Sequence, residues 1–69
     1  MRIIKDVIWG VESGKELHDL EIRADSSESS NLPTDGVLDG SICTYTDNGK
    51  VLFFNEKTSA WIEQFSLQS

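Results

Sequence analysis

The dipeptide Asn48-Gly49, set between two runs of β-branched and aromatic residues, constrains the fold of this chain more than any other feature. A tight two-residue hairpin turn needs positive φ at both central positions, which glycine adopts freely and asparagine at little cost. Gly40 to Thr46 on its left and Lys50-Val51-Leu52-Phe53-Phe54 on its right both read as strands. Asn55-Glu56-Lys57-Thr58 then makes a second polar turn, and Ser59 to Phe65 a third strand containing Trp61 and Ile62. Residues 37–66 are therefore expected to form a three-stranded antiparallel meander.

The turn also sets a register. A two-residue loop puts Thr46 opposite Val51, Tyr45 opposite Leu52 and Cys43 opposite Phe54. A four-residue second turn puts Phe53 opposite Ala60 and Leu52 opposite Trp61. One face then carries Cys43, Tyr45, Leu52, Phe54, Trp61 and Phe65, and the other Ile42, Thr44, Val51, Phe53, Ala60 and Ile62. A half-exposed antiparallel sheet alternates apolar with polar residues; here both faces are apolar. The expectation is that the N-terminal half covers one face and a second copy or a partner covers the other. Tyr45, Phe53, Phe54, Trp61 and Ile62 are the candidate interface residues, with Trp61 foremost because buried tryptophans dominate interface energies.

Upstream, Ile3-Ile4-Lys5-Asp6-Val7-Ile8-Trp9 fits a helical stripe in part, but it is short, β-branched and followed by Gly10. It reads as a strand. Leu20-Glu21-Ile22-Arg23-Ala24-Asp25 alternates cleanly and reads as another. Between them Gly10 to Glu16 reads as a long turn, with a short helical turn possible in sequence at 15–19. Residues 25–36, Asp-Ser-Ser-Glu-Ser-Ser-Asn-Leu-Pro-Thr-Asp-Gly, are turn formers and solvated polar groups, expected to form an exposed loop or an arm against another subunit. The whole is an all-β domain over 1–69: N-terminal strands in 1–24, a polar loop at 25–36 and the meander at 37–66, in a small antiparallel sheet of about five strands.

Sixty-nine residues make one domain. A chain this size buries about 60% of its surface and leaves about 4,300 Å² exposed. Burial of roughly 4,000 Å² of apolar area contributes on the order of 100 kcal/mol, and ordering the chain costs about the same. Such a monomer is marginal, and self-association helps it. Walls for a deep, multi-step active site are not there to be built.

Twelve acidic residues against six basic ones give a net charge of −6, the wrong sign for binding nucleic acid directly. The acids are scattered from Asp6 to Glu63, which reads as a solvated surface; an acidic mimic that blocks a basic groove is the sharper alternative. The single cysteine, Cys43, reads as a small buried hydrophobe, and the single histidine, His18, shares no motif with it. Cysteine usage fits a reducing compartment. Met1-Arg2-Ile3-Ile4-Lys5-Asp6 breaks into charge at once, so no secretory signal is expected, and no apolar run is long enough for a membrane helix. Asp35, Asp39 and Asp47 sit beside glycine or asparagine in turns and do not follow the alternate spacing of a calcium loop. No phosphate-binding glycine motif occurs. No catalytic, cofactor-binding or metal residues are expected, and no cofactor.

Leu32-Pro33-Thr34-Asp35-Gly36, Asp39-Gly40-Ser41, Thr46-Asp47-Asn48-Gly49-Lys50-Val51, Phe53-Phe54-Asn55-Glu56-Lys57 and Trp61-Ile62-Glu63 together resemble a pattern in short bacteriophage and prophage virion-associated β-proteins. The resemblance covers roughly residues 32–63. It implies a structural or accessory virion role, oligomeric, with a larger protein assembly as partner, located in the virion or the host cytoplasm. It carries no catalytic residues. The alternative in keeping with the charge is a phage-encoded inhibitor of a host defence or nucleic-acid-binding protein.

Overall fold

A computed structural model describes residues 1–66. Five strands, β1 (Arg2–Glu12), β2 (Lys15–Ala24), β3 (Ile42–Tyr45), β4 (Lys50–Asn55) and β5 (Ala60–Ser66), lie in one sheet in chain order. The domain is all-β, and β3–β5 form the antiparallel meander. The sheet is mixed rather than wholly antiparallel, because β2 and β3 run parallel, with Ile22 beside Cys43 and Ala24 beside Tyr45.

The N-terminal strands are longer than the sequence suggests. β1 and β2 pair from Arg2↔Arg23 to Glu12↔Lys15, closed by Ser13-Gly14 alone. Both of these residues take positive φ, 53° and 80°, the type I′ geometry that matches strand twist. Gly10 is a strand residue, and no helical turn occurs at 15–19. β1 carries two bulges, which leave Ile4 and Trp9 as extra residues. Each bulge shifts the alternation by one, so the pair restores it. Arg2, Val7 and Glu12 end on one face, and Ile3, Asp6, Ile8 and Val11 on the other.

At Asn48-Gly49 a hairpin forms, but with a wider loop. Gly49 takes φ 71° while Asn48 does not take positive φ, and the Gly49 N–H donates to the Tyr45 carbonyl across four residues. The Asn48 side chain instead accepts from the Lys50 N–H at 3.0 Å. Thr44 therefore faces Val51 and Cys43 faces Leu52, two positions from the expected register. The second turn, closed by Ser59 at φ 52°, also shifts the pairing by two, so Phe54 faces Trp61 and Phe53 faces Ile62. A two-residue slip keeps every side chain on its face, whereas a one-residue slip would invert them all. Phe65 is the exception. A bulge between the Leu52↔Glu63 and Val51↔Phe65 pairs turns it onto the face opposite to the expected one.

The core face is covered by residues 25–41, not by the N-terminal strands, which extend the sheet sideways. This crossover begins with a 3₁₀ helix, Ser26–Asn31, and is ordered against its own sheet. Its capping box is complete: the Asp25 carboxylate accepts from the Ser27 N–H, and Glu28 accepts from the Asp25 N–H, each at 3.0 Å. Leu32 and Val37 then enter a core of Leu20, Ile22, Ala24, Cys43, Tyr45, Leu52 and Phe54, with Trp61 packed against it. The segment at 36–38 adds to β2: the His18 N–H donates to the Gly36 carbonyl at 2.8 Å, and the Leu38 N–H to the His18 carbonyl at 2.9 Å.

Ser41 joins that segment to β3. It is fully buried, and its Oγ accepts from the Leu20 N–H at 3.0 Å, taking the place of a ladder carbonyl. Ser41→Ala strands that N–H and should cost about 1–3 kcal/mol, read as a lower urea midpoint at unchanged slope. Gly36 has φ 70°, and a Cβ there would stand 2.7 Å from the Glu16 carbonyl oxygen. Gly36→Ala should therefore cost at least about 1 kcal/mol. Gly10→Ala, where a Cβ meets nothing within 4 Å, is the control and should shift the midpoint far less.

Candidate functional site

The crossover covers one face of the sheet and leaves the other open. On β3–β5 that open face carries two rows of cross-strand neighbours: Ile42, Phe53 and Ile62 in one, Thr44, Val51 and Phe65 in the other. Phe53, Ile62 and Phe65 are exposed by 36%, 41% and 50%. Val51, in the middle of its row, is buried yet lies outside the core cluster. A contiguous apolar patch on a small soluble domain marks a site of interaction. The edge strand β1 adds a second exposed apolar surface, in which Ile8, Trp9 and Val11 are each more than half exposed.

The five candidate interface residues divide between the two faces. Phe53 and Ile62 are on the open face and exposed. Tyr45 and Phe54 are buried in the core. Trp61 packs on that core, edge-to-face with Phe54 at 5.2 Å between centroids, and its indole Nε1–H donates to the Pro33 carbonyl at 2.9 Å. Alternation assigns the faces, but it does not say which face the crossover takes. Phe65 and the β1 residues were missed as surface groups because a bulge and an edge position cannot be read from alternation.

The groups suited to covalent or acid–base chemistry are dispersed. Cys43 is fully buried, and burial, with the charge of Glu28, pushes its thiol up to about 11, so it stays protonated. His18 Nδ1 lies 2.6 Å from Asp6 Oδ1 on the N-terminal hairpin. It is four residues along β2 from Ile22, the neighbour of Cys43, which is about 13 Å at strand rise. A cleft of about 430 Å³ lies at the end of the sheet, lined in part by Arg2, Arg23, Asp25 and Glu28. Both carboxylates there are already engaged by the capping box, and Glu28 also holds the N-terminal ammonium at 2.6 Å. Among the described residues no group of three His, Cys, Asp or Glu side chains gathers to hold a metal, and no helix is long and apolar enough to cross a membrane.

Six of the twelve acidic side chains, Asp25, Glu28, Asp35, Asp39, Asp47 and Glu56, brace loops. Asp47 accepts from the Ser26 N–H at 2.9 Å and the Ser26 hydroxyl at 2.6 Å, tying the β3–β4 turn to the crossover. Asp39 and Glu56 exchange bonds with each other's backbone N–H at 2.5 and 3.0 Å. Asp35 meets Lys15 at 2.7 Å. The bonds from Ser26 hold Asp47 below its ordinary carboxylate value; the Lys15 ammonium does so for Asp35, and the Asp25 N–H for Glu28. A carboxyl lowered on folding stabilises the fold above its unfolded pKa, and that contribution is lost as pH falls through the folded value. The thermal midpoint should therefore be flat near neutrality and drop as pH falls below roughly 4. Asp47→Asn should blunt that drop, as followed by circular dichroism melts across the acid range.

Comparison with protein-family models, curated proteins and solved structures finds no match for this chain.

Proposed function

We propose that this chain is a non-enzymatic bacteriophage structural or accessory protein that works by self-association and by docking on a virion assembly. The observation that carries the reading is the open apolar face of Ile42, Phe53, Ile62 and Phe65, left uncovered while the opposite face has its own cover. The resemblance of residues 32–63 to virion-associated β-proteins supplies the phage context. The acidic-inhibitor reading draws less support. A mimic needs an ordered array of free carboxylates, and here Asp25, Glu28, Asp35, Asp39, Asp47 and Glu56 are engaged in caps, turns and an ion pair.

The docking face has a direct test. In cells producing the phage that encodes the protein, the wild type should co-sediment with assembled particles on a density gradient. Phe53→Glu with Ile62→Glu should abolish that recovery. Both positions are solvent-exposed, so the unfolding midpoint should move little. Raising salt should leave apolar docking intact, whereas binding by charge mimicry weakens steeply. Absence of the wild type from particles, together with salt-sensitive binding to a basic host protein, would sink the structural role.

A further inference from the structure

β1 is a long sheet edge paired on one side only. Its eleven residues span about 36 Å at strand rise, nearly the full 41 Å length of the molecule. Its apolar side chains Ile3, Ile4, Val7, Ile8, Trp9 and Val11 are all exposed. An exposed, apolar strand edge is a template for another strand.

Charge on this hairpin is segregated by end. Arg2 and Arg23 stand directly opposite each other, and among the described residues neither meets a carboxylate in an ion pair. Like charges in that position repel. At the other end, among the described residues, Glu12 and Glu16 form no ion pair, and the nearby Lys15 is taken by Asp35. Asp25 and Glu28 line the cleft beside these arginines, but the capping box and the N-terminal ammonium already hold both carboxylates, so the glutamate end of another copy could supply the arginines with a partner.

We propose that β1 pairs antiparallel with β1 of a second copy, about a two-fold axis perpendicular to the sheet through Val7. This rests on the self-association reading above and names its interface. Such an axis preserves faces, so each residue meets one on its own side of the sheet. Val7 meets its own counterpart, Asp6 meets Ile8, Ile3 meets Val11, and Arg2 meets Glu12 of the second copy. These pairs agree with the faces in β1: Arg2, Val7 and Glu12 on one, Ile3, Asp6, Ile8 and Val11 on the other. The bulged residues Ile4 and Trp9 fall opposite Gly10 and Lys5, so the bulges do not meet each other. Each end of the interface then reads Arg23, Arg2, Glu12, Lys15 across four strands, with a carboxylate set between the cations. A parallel pairing would instead stack Arg2 on Arg2 and Glu12 on Glu12. The product is a sheet of ten strands with both open faces on the same side, able to dock at two points.

Sedimentation equilibrium and oxidative cross-linking together decide it. The wild type should sediment as a dimer. Val7→Cys, which brings two thiols together on the axis, should give a disulfide-linked dimer under mild oxidation, while the buried, protonated Cys43 does not compete. Arg2→Glu and Glu12→Arg should each raise the dissociation constant by about three- to tenfold at low salt. The double variant, which restores opposite charges across the interface, should recover wild-type dimerisation. All three positions are exposed, so each variant should keep the wild-type circular dichroism spectrum. A wild-type dimer with no Val7→Cys cross-link and no response to either charge reversal overturns this interface and leaves self-association standing. A wild type that stays monomeric throughout overturns both.

Discussion

The parallel pairing of β2 with β3 dictates where the other elements go. Antiparallel neighbours need only a short turn, whereas a parallel pair needs a crossover of a dozen or more residues. Here that crossover, residues 25–41, is also the cover of the hydrophobic core. The polar serines stay outside in a capped 3₁₀ helix, while Leu32 and Val37 turn inward. Ser41 closes the gap between the added segment at 36–38 and β3 by lending a side-chain oxygen to a backbone donor of β2. A buried backbone group must find a partner, and a serine at this one position supplies it.

The same arrangement explains the acidic surface. A crossover held to a sheet by few apolar residues needs its loops fixed, and carboxylates do this by accepting backbone N–H and hydroxyl donors. Asp25 and Glu28 cap the helix, Asp47 holds Ser26, and Asp39 and Glu56 hold each other's loops. Much of the acidic excess is thereby tied up within the fold.

Covering only one face leaves the protein two-sided. The exposed area, 4541 Å², slightly exceeds the roughly 4,300 Å² expected of a compact chain this size. The excess fits a molecule 41 Å long and 22 by 18 Å across, in which the N-terminal hairpin widens the sheet rather than folding over it. The open face on β3–β5 and the β1 edge belong to one sheet with β2 between them, so a partner strand at the edge and a docked assembly on the face are compatible.

The strands of the meander, their side-chain parity and the burial of Cys43 are legible in the residue pattern. These follow from local alternation and from turn residues, and parity survives any two-residue error in loop length. That is why the expected faces stood although both registers moved, except at Phe65, which a bulge turns over. Asn48-Gly49 carries the type I′ motif, yet Ser13-Gly14 is where both φ angles are positive. Long-range packing sets the parallel course of β2 and β3, the seat of the serine-rich segment on its own sheet, and the contact of Trp61 with the core while Phe53 and Ile62 stay exposed. Each of these depends on a contact between residues far apart in the chain, such as Trp61 with Pro33 or Ser41 with Leu20, and pattern within a single segment carries no record of what will pack against it.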